Sequence, residues 1–247
     1  MSIGSRDPNL EIRLQRAKSW LALSEKLEEL HRESFPQWAR DHELFIFNWI
    51  AFNALYGRNP WDKLKGTKRD DEDSRKPPEG EWVNIEPFLV KVSRMSKTVE
   101  AEGDKDFIEA VKKSWRYGKQ VILDHFLDRA YWTKAKHLDD VQKDCRDRYQ
   151  EAEEQYNSAT ESFEKFLKYS FKNLLVLRNQ ILHGSASHGS GSKGKDSLKN
   201  GLEFSRIMIP AIYSLIDSCG DKEKWEMAPY PRLGWPGHPW KSPLKIL

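Results

Sequence analysis

The sequence predicts an all-α protein, and three features of its patterning carry that prediction. Apolar residues recur at helical spacing over 9–34. Segment 41–56 is apolar on almost every side, and a helical apolar stripe runs from about 158 to 183 behind a capping signal. A chain of 247 residues can bury a substantial core, and one domain spanning 1–247 with decorations is the expected organisation. The composition, 38% hydrophobic and 32% charged, supplies enough apolar material to fold but excludes a membrane protein. No run approaches the roughly 20 apolar residues that cross a bilayer, and residues 1–10 lack the apolar centre of a signal peptide. The expected location is the cytosol.

The elements follow in order. Leu10, Leu14, Ala17, Leu21 and Leu27 mark a first amphipathic helix that ends before Pro36. Asp41 to Tyr56 marks a second helix, buried by several neighbours and stopped at Gly57. Residues 58–100 begin with a stretch rich in Pro, Gly and mixed charge and are expected to form a surface insertion or loop. Helical patterning resumes over Asp104 to Trp115 and Lys119 to Lys136, followed by a charged stretch from Asp139 to Tyr156. Ser158-Ala159-Thr160-Glu161 has the form of a capping box and starts a helix that closes at His183-Gly184. Residues 184–201 read as a flexible linker, Leu202 to Cys219 as a helix bent near Pro210, and 220–247 as an extended tail holding Trp225, Trp235 and Trp240.

Cys145 and Cys219 are too few for a disulfide framework and too far apart in sequence for a metal knuckle, so reduced thiols and no metal are expected. The net charge of +3 comes from 41 basic and 38 acidic side chains, so affinity for nucleic acid must reside in local patches. One such patch is visible. Over 170–200 the chain carries Lys172, Arg178, Lys193, Lys195 and Lys199 against Asp196 alone.

Within it, Arg178-Asn179-Gln180-Ile181-Leu182-His183 is the candidate site. The stripe centred on Leu174 contains Phe163, Leu167, Phe171, Ile181 and Leu182, and Arg178 falls near its middle. A charge that arginine cannot lose needs a partner or a wet interface there, because an unpaired buried ion costs several kcal/mol. Asn179 and His183 share a face with Lys165, Lys168 and Lys172, which are the candidate phosphate contacts. Asn53, central in its own apolar helix face, is a candidate supporting residue. Arg232 and His238 have similar spacing, but Leu233-Gly234-Trp235-Pro236-Gly237 between them cannot hold a helix. Each feature also has a structural reading: a solvated lysine face, a helix-end histidine, an arginine ion pair.

Arg178, Asn179 and His183 at the end of a late helix resemble the Arg-x4-6-His motif of the HEPN superfamily (higher eukaryotes and prokaryotes nucleotide-binding). The earlier segment from Asn48 to Gly57 is similar to one found in prokaryotic branches of that superfamily. The resemblance implies an antiparallel helical bundle that forms a homodimer with two Arg/His pairs facing one cleft. It implies a metal-independent endoribonuclease, with no cofactor, that leaves a 2′,3′-cyclic phosphate on RNA. In that reading His183 moves a proton, Arg178 binds the phosphate and stabilises transition-state charge, and Asn179 positions one of them. It further implies a toxin or host-defence effector, with an antitoxin or regulatory protein as partner. The alternative is a non-catalytic HEPN module that binds nucleic acid or a protein; a third is a helical scaffold whose Trp-rich tail contacts a partner.

Overall fold

A computed structural model describes residues 6–30, 37–57, 81–100, 105–158, 162–183, 191–223 and 225. Among these residues the protein is an all-α bundle of eight α-helices with two 3-10 turns and no strand. The helices are α1 (Pro8–Leu30), α2 (Gln37–Tyr56), α3 (Trp82–Glu100), α4 (Lys105–Leu123), α5 (Arg129–Trp132), α6 (Leu138–Asn157), α7 (Glu164–Leu182) and α8 (Gly191–Cys219). No described helix is long and apolar enough to cross a membrane.

The segment from 41 to 56 is buried as its all-round apolarity requires. Its Phe45, Phe52 and Leu55 are fully enclosed. Phe52 stacks on Phe171 of α7 at 4.3 Å and meets Phe88 of α3 edge-on at 5.7 Å. Such ring pairs contribute about 0.5–1.5 kcal/mol each beyond the area they bury. α1 lies against α2, and its buried Arg13 donates to the carbonyls of Leu55 and Gly57 at 2.8 and 2.6 Å. Those carbonyls end α2 with no further turn to receive them, so Arg13 caps that helix from a neighbouring one. α8 packs on α1, α2, α3, α4 and α7 and closes the bundle.

Four expectations are corrected. The insertion read over 58–100 contains α3, whose Ile85, Phe88, Leu89, Val92 and Met95 are buried at helical spacing. Pro87 sits inside this helix, near its N-terminal end, where its missing N–H removes a single helical bond. The two helices read over 104–136 are one helix as far as Leu123, because Gly118 continues α4 instead of breaking it. Beyond it the chain turns through a 3-10 turn (His125–Leu127) and the short α5.

The capping box at Ser158 does not start α7. Ser158 is instead the last cap of α6, its hydroxyl donating to the Gln155 carbonyl at 2.7 Å, while α7 starts at Glu164. Finally, the linker read over 184–201 is helical from Gly191 onward, with Ser197, Leu198 and Leu202 buried. Residues 184–190 lie outside the described residues, and α8 continues through Pro210. Of the tail, 220–222 form a 3-10 turn and Trp225 is buried under Lys91, whose Nζ lies 4.5 Å from the ring centre. Trp235, Trp240, Arg232 and His238 lie outside the described residues.

Candidate functional site

α7 presents its candidate residues in three directions. Phe171, Leu174 and Leu177 point into the core, with Arg178 following one turn after Leu174 at the edge of that face. This apolar face is therefore filled by the chain's own helices. Leu182, 59% exposed, is left at its end.

Arg178 finds the partner its position demands within the same chain. Its Nη2 donates to Glu81 at the entry to α3, and its Nη1 donates to the Asn179 side-chain oxygen at 2.8 Å. The Tyr56 hydroxyl donates to the other Glu81 oxygen. Burial, reinforced by the Glu81 charge, pushes the Tyr56 hydroxyl far above its ordinary value, so it remains a donor at any working pH. The guanidinium carbon lies 5.7 Å from the centre of the Trp49 ring. A partly buried cation–carboxylate–phenol chain is thus laid against an aromatic face, an arrangement that fixes the arginine's orientation. The Nε of Arg178 and the Nε1 of Trp49 are both buried donors with no hydrogen-bond acceptor among the described residues.

His183 is the C-terminal cap of α7. Its backbone N–H donates to the Asn179 carbonyl at 2.9 Å, and the residue is exposed to solvent. Arg178 and His183 leave the helix about 140° apart, so α7 turns one toward α2 and α3 and the other toward solvent. Asn179, between them, is half-buried and bonded to Arg178.

The lysine row is only partly open. Lys165 pairs with Glu151 of α6 at 3.1 Å and Lys168 with Glu86 of α3 at 2.6 Å, while Lys172 is exposed. The Lys168 ammonium, through its hydrogen bond, holds the Glu86 carboxyl below its ordinary value. Two of the three expected phosphate contacts therefore also clamp helices together. Asn53 is half-buried, and the α2 residues that reach the arginine network are Trp49 and Tyr56.

Sequence reasoning missed Glu81, Tyr56 and Trp49. Trp49 and Tyr56 lie in the segment whose resemblance was noted, whereas Glu81 lies 97 positions from Arg178 with no local pattern linking them. Among the described residues no three His, Cys, Asp or Glu side chains gather as a metal-ligand group. Cys145 and Cys219 are both buried, and burial pushes the Cys145 thiol up to about 11. Comparisons with known protein families, with curated proteins and with solved structures gave no match.

Proposed function

We propose that the chain is a HEPN-type, metal-independent endoribonuclease acting as a homodimer. The observation that carries this reading is the junction at the end of α7: an oriented Arg178, joined through Asn179 to the last turn, and a solvent-facing His183 that caps the helix. In the reaction the RNA 2′-oxygen attacks phosphorus, the bond to the 5′-oxygen breaks, and a 2′,3′-cyclic phosphate remains. The 2′-hydroxyl proton must leave and the departing 5′-oxygen must gain one. A histidine suits either transfer near neutral pH. Arg178 stays cationic throughout, and in this reading its terminal N–H groups take phosphate oxygens in the complex. Because the two side chains diverge, a second protomer supplies the complementary His183 or Arg178 across a cleft. The exposed Leu182 beside His183 gives that contact an apolar element.

The toxin or host-defence role, with an antitoxin or regulatory protein as partner, belongs to the same reading. A non-catalytic HEPN module binding nucleic acid or protein is favoured instead by the network around Glu81, which already satisfies much of the guanidinium.

The deciding assay is cleavage of bulk RNA in the presence of EDTA. His183→Ala and Arg178→Ala are each expected to slow cleavage by roughly 100-fold or more, with products of the unaltered protein ending in cyclic phosphate. Light scattering on every variant is expected to return twice the monomer mass. A folded His183→Ala protein that cleaves at the full rate retires the catalytic assignment and leaves the binding-module reading.

A further inference from the structure

Between α4 and α6 the chain makes a corner built largely from aromatic rings. His125 and Phe126 lie 4.1 Å apart, Phe126 and Tyr131 5.1 Å, and Tyr131 and Trp132 5.4 Å, the last two pairs nearly perpendicular. Among the described residues the hydrophobic core includes Leu127 from this corner but none of these four rings. Trp132 is 50% exposed.

The corner is nonetheless held firmly. Asp124 accepts from the Phe126 N–H at 3.0 Å and Asp128 from the Ala130 N–H at 2.7 Å, capping the two short helical turns. Asp128 also pairs with Arg148 of α6, and the Asp124 carboxylate accepts from Ser197 of α8. The Phe126 carbonyl takes two donors, Trp132 Nε1 at 2.6 Å and Gln180 Nε2 at 2.8 Å. Gln180 ties the rings to the candidate site, because His183 follows it by three residues and lies about 60° round the same helix.

Of the charges around the rings, Asp124 and Asp128 are committed to Ser197, Arg148 and the capped N–H groups. Residues 129–138 carry Arg129, Lys134 and Lys136 and no Asp or Glu. Lys136 is paired with Asp144, while Arg129 and Lys134 are exposed. Acidic residues return only with Asp139 and Asp140 in the first turn of α6.

We propose that this corner is a nucleobase-stacking subsite for single-stranded RNA, with Trp132 as its exposed platform and Arg129 and Lys134 as phosphate contacts. The proposal rests on the ribonuclease reading and extends it to the form of the substrate. Every base offers a π-face to a fixed ring, and unpaired strands expose those faces whereas duplexes do not. A strand stacked here lies on the side of α7 that carries His183. The platform therefore selects loops and single strands over duplex RNA without reading their sequence.

The test is fluorescence anisotropy with a short labelled oligoadenylate, 2′-O-methylated throughout so that it cannot be cleaved, and a matched strand with one base removed. Trp132→Ala is expected to weaken binding of the intact strand about tenfold, and Trp132→Phe to restore most of it. The strand lacking a base should bind the unaltered protein more weakly and be less sensitive to Trp132→Ala. Circular dichroism checks each fold. Equal binding by Trp132→Ala and the unaltered protein overturns the subsite, as does an equal loss on both strands or no binding by the unaltered protein. RNA cleavage without a Trp132 effect removes the subsite and keeps the ribonuclease. Trp132-dependent binding without cleavage keeps the subsite and removes the ribonuclease.

Discussion

Arg178 has five N–H donors, and Glu81 and Asn179 each engage one of its terminal nitrogens. The side chain therefore has a structural task besides any chemical one, and the two tasks are separable through Tyr56. Tyr56→Phe removes a hydrogen bond to the Glu81 carboxylate while leaving the Arg178 contact in place. A hydrogen bond to a charged group contributes about 1.5–3 kcal/mol when enclosed, so this variant should melt several degrees lower. It should still cleave RNA. His183→Ala should show the opposite pattern, with cleavage lost and melting unchanged, because that side chain is exposed. Thermal unfolding and cleavage measured on both variants check this; a folded Tyr56→Phe protein without activity would place Tyr56 in the chemistry. The need for a partner at Arg178 was legible in the sequence, since a fixed charge beside core residues cannot stand alone. The partner itself was not. Glu81 precedes α3, in a stretch whose composition reads as loop, and only the packing of α3 brings it to α7.

At the scale of elements, α4 approaches its neighbours closely at Gly118. A Cβ there would overlap the Phe166 ring and lie 3.0 Å from the Phe204 ring. Phe166 cannot move aside, because it stacks on Trp115 at 4.3 Å and is fully buried. Replacing glycine by alanine in a helix is worth about 1 kcal/mol in propensity, whereas overpacking a core costs about 1–3 kcal/mol. Gly118→Ala is therefore expected to destabilise, lowering the urea midpoint. Gly201→Ala, which would meet the movable end of the Leu177 side chain, should cost less. A midpoint raised by Gly118→Ala would contradict the packing described. The helices themselves were largely legible. α1 and α7 announce themselves through apolar period and α2 through apolarity on almost every side, whereas the α6 segment reads only as a charged stretch; α3 has the periodic signal in Ile85, Phe88, Val92 and Met95. That signal was masked by the charged, proline-rich residues before it. The start of α8 was hidden similarly, since Gly, Ser and Lys around Leu198 read as linker until Ser197 is seen to bond Asp124.

At the scale of the whole molecule, stability responds to pH through carboxylates held in ion pairs and hydrogen bonds. Lys168 holds Glu86 below its ordinary value of 4.5, Lys136 holds Asp144 low, and Tyr169 with Lys165 holds Glu151 low. A carboxylate depressed by folding adds stability above its unfolded value, and loses it as pH falls through the folded one. Asp124 works in the other sense. Burial raises its carboxyl against the hydrogen bonds from Ser197 and Phe126, so its contribution is full below 3.8 and declines as pH rises through the raised value. Lys168→Ala should therefore flatten the loss of stability below about pH 4.5, modestly because the pair is partly solvated. Asp124→Asn should gain on the unaltered protein as pH rises from 3.8. Denaturant midpoints across that range measure both, and an unchanged acid limb in Lys168→Ala would remove the clamp from the account.

The position of α8 gives the chain a timetable. Of the described helices α8 leaves the ribosome last, yet its Phe204, Met208, Ile209, Ile212 and Ile216 are fully enclosed against helices made long before. Arg6 reaches Asp217 across 211 positions, so that contact waits until the C-terminal part of α8 has been made. At about 5–20 residues per second, the rings of α2 wait on the order of ten seconds for their cover. The nascent protein spends that interval with its most apolar helix incompletely covered, its rings open to any other apolar surface until α8 arrives.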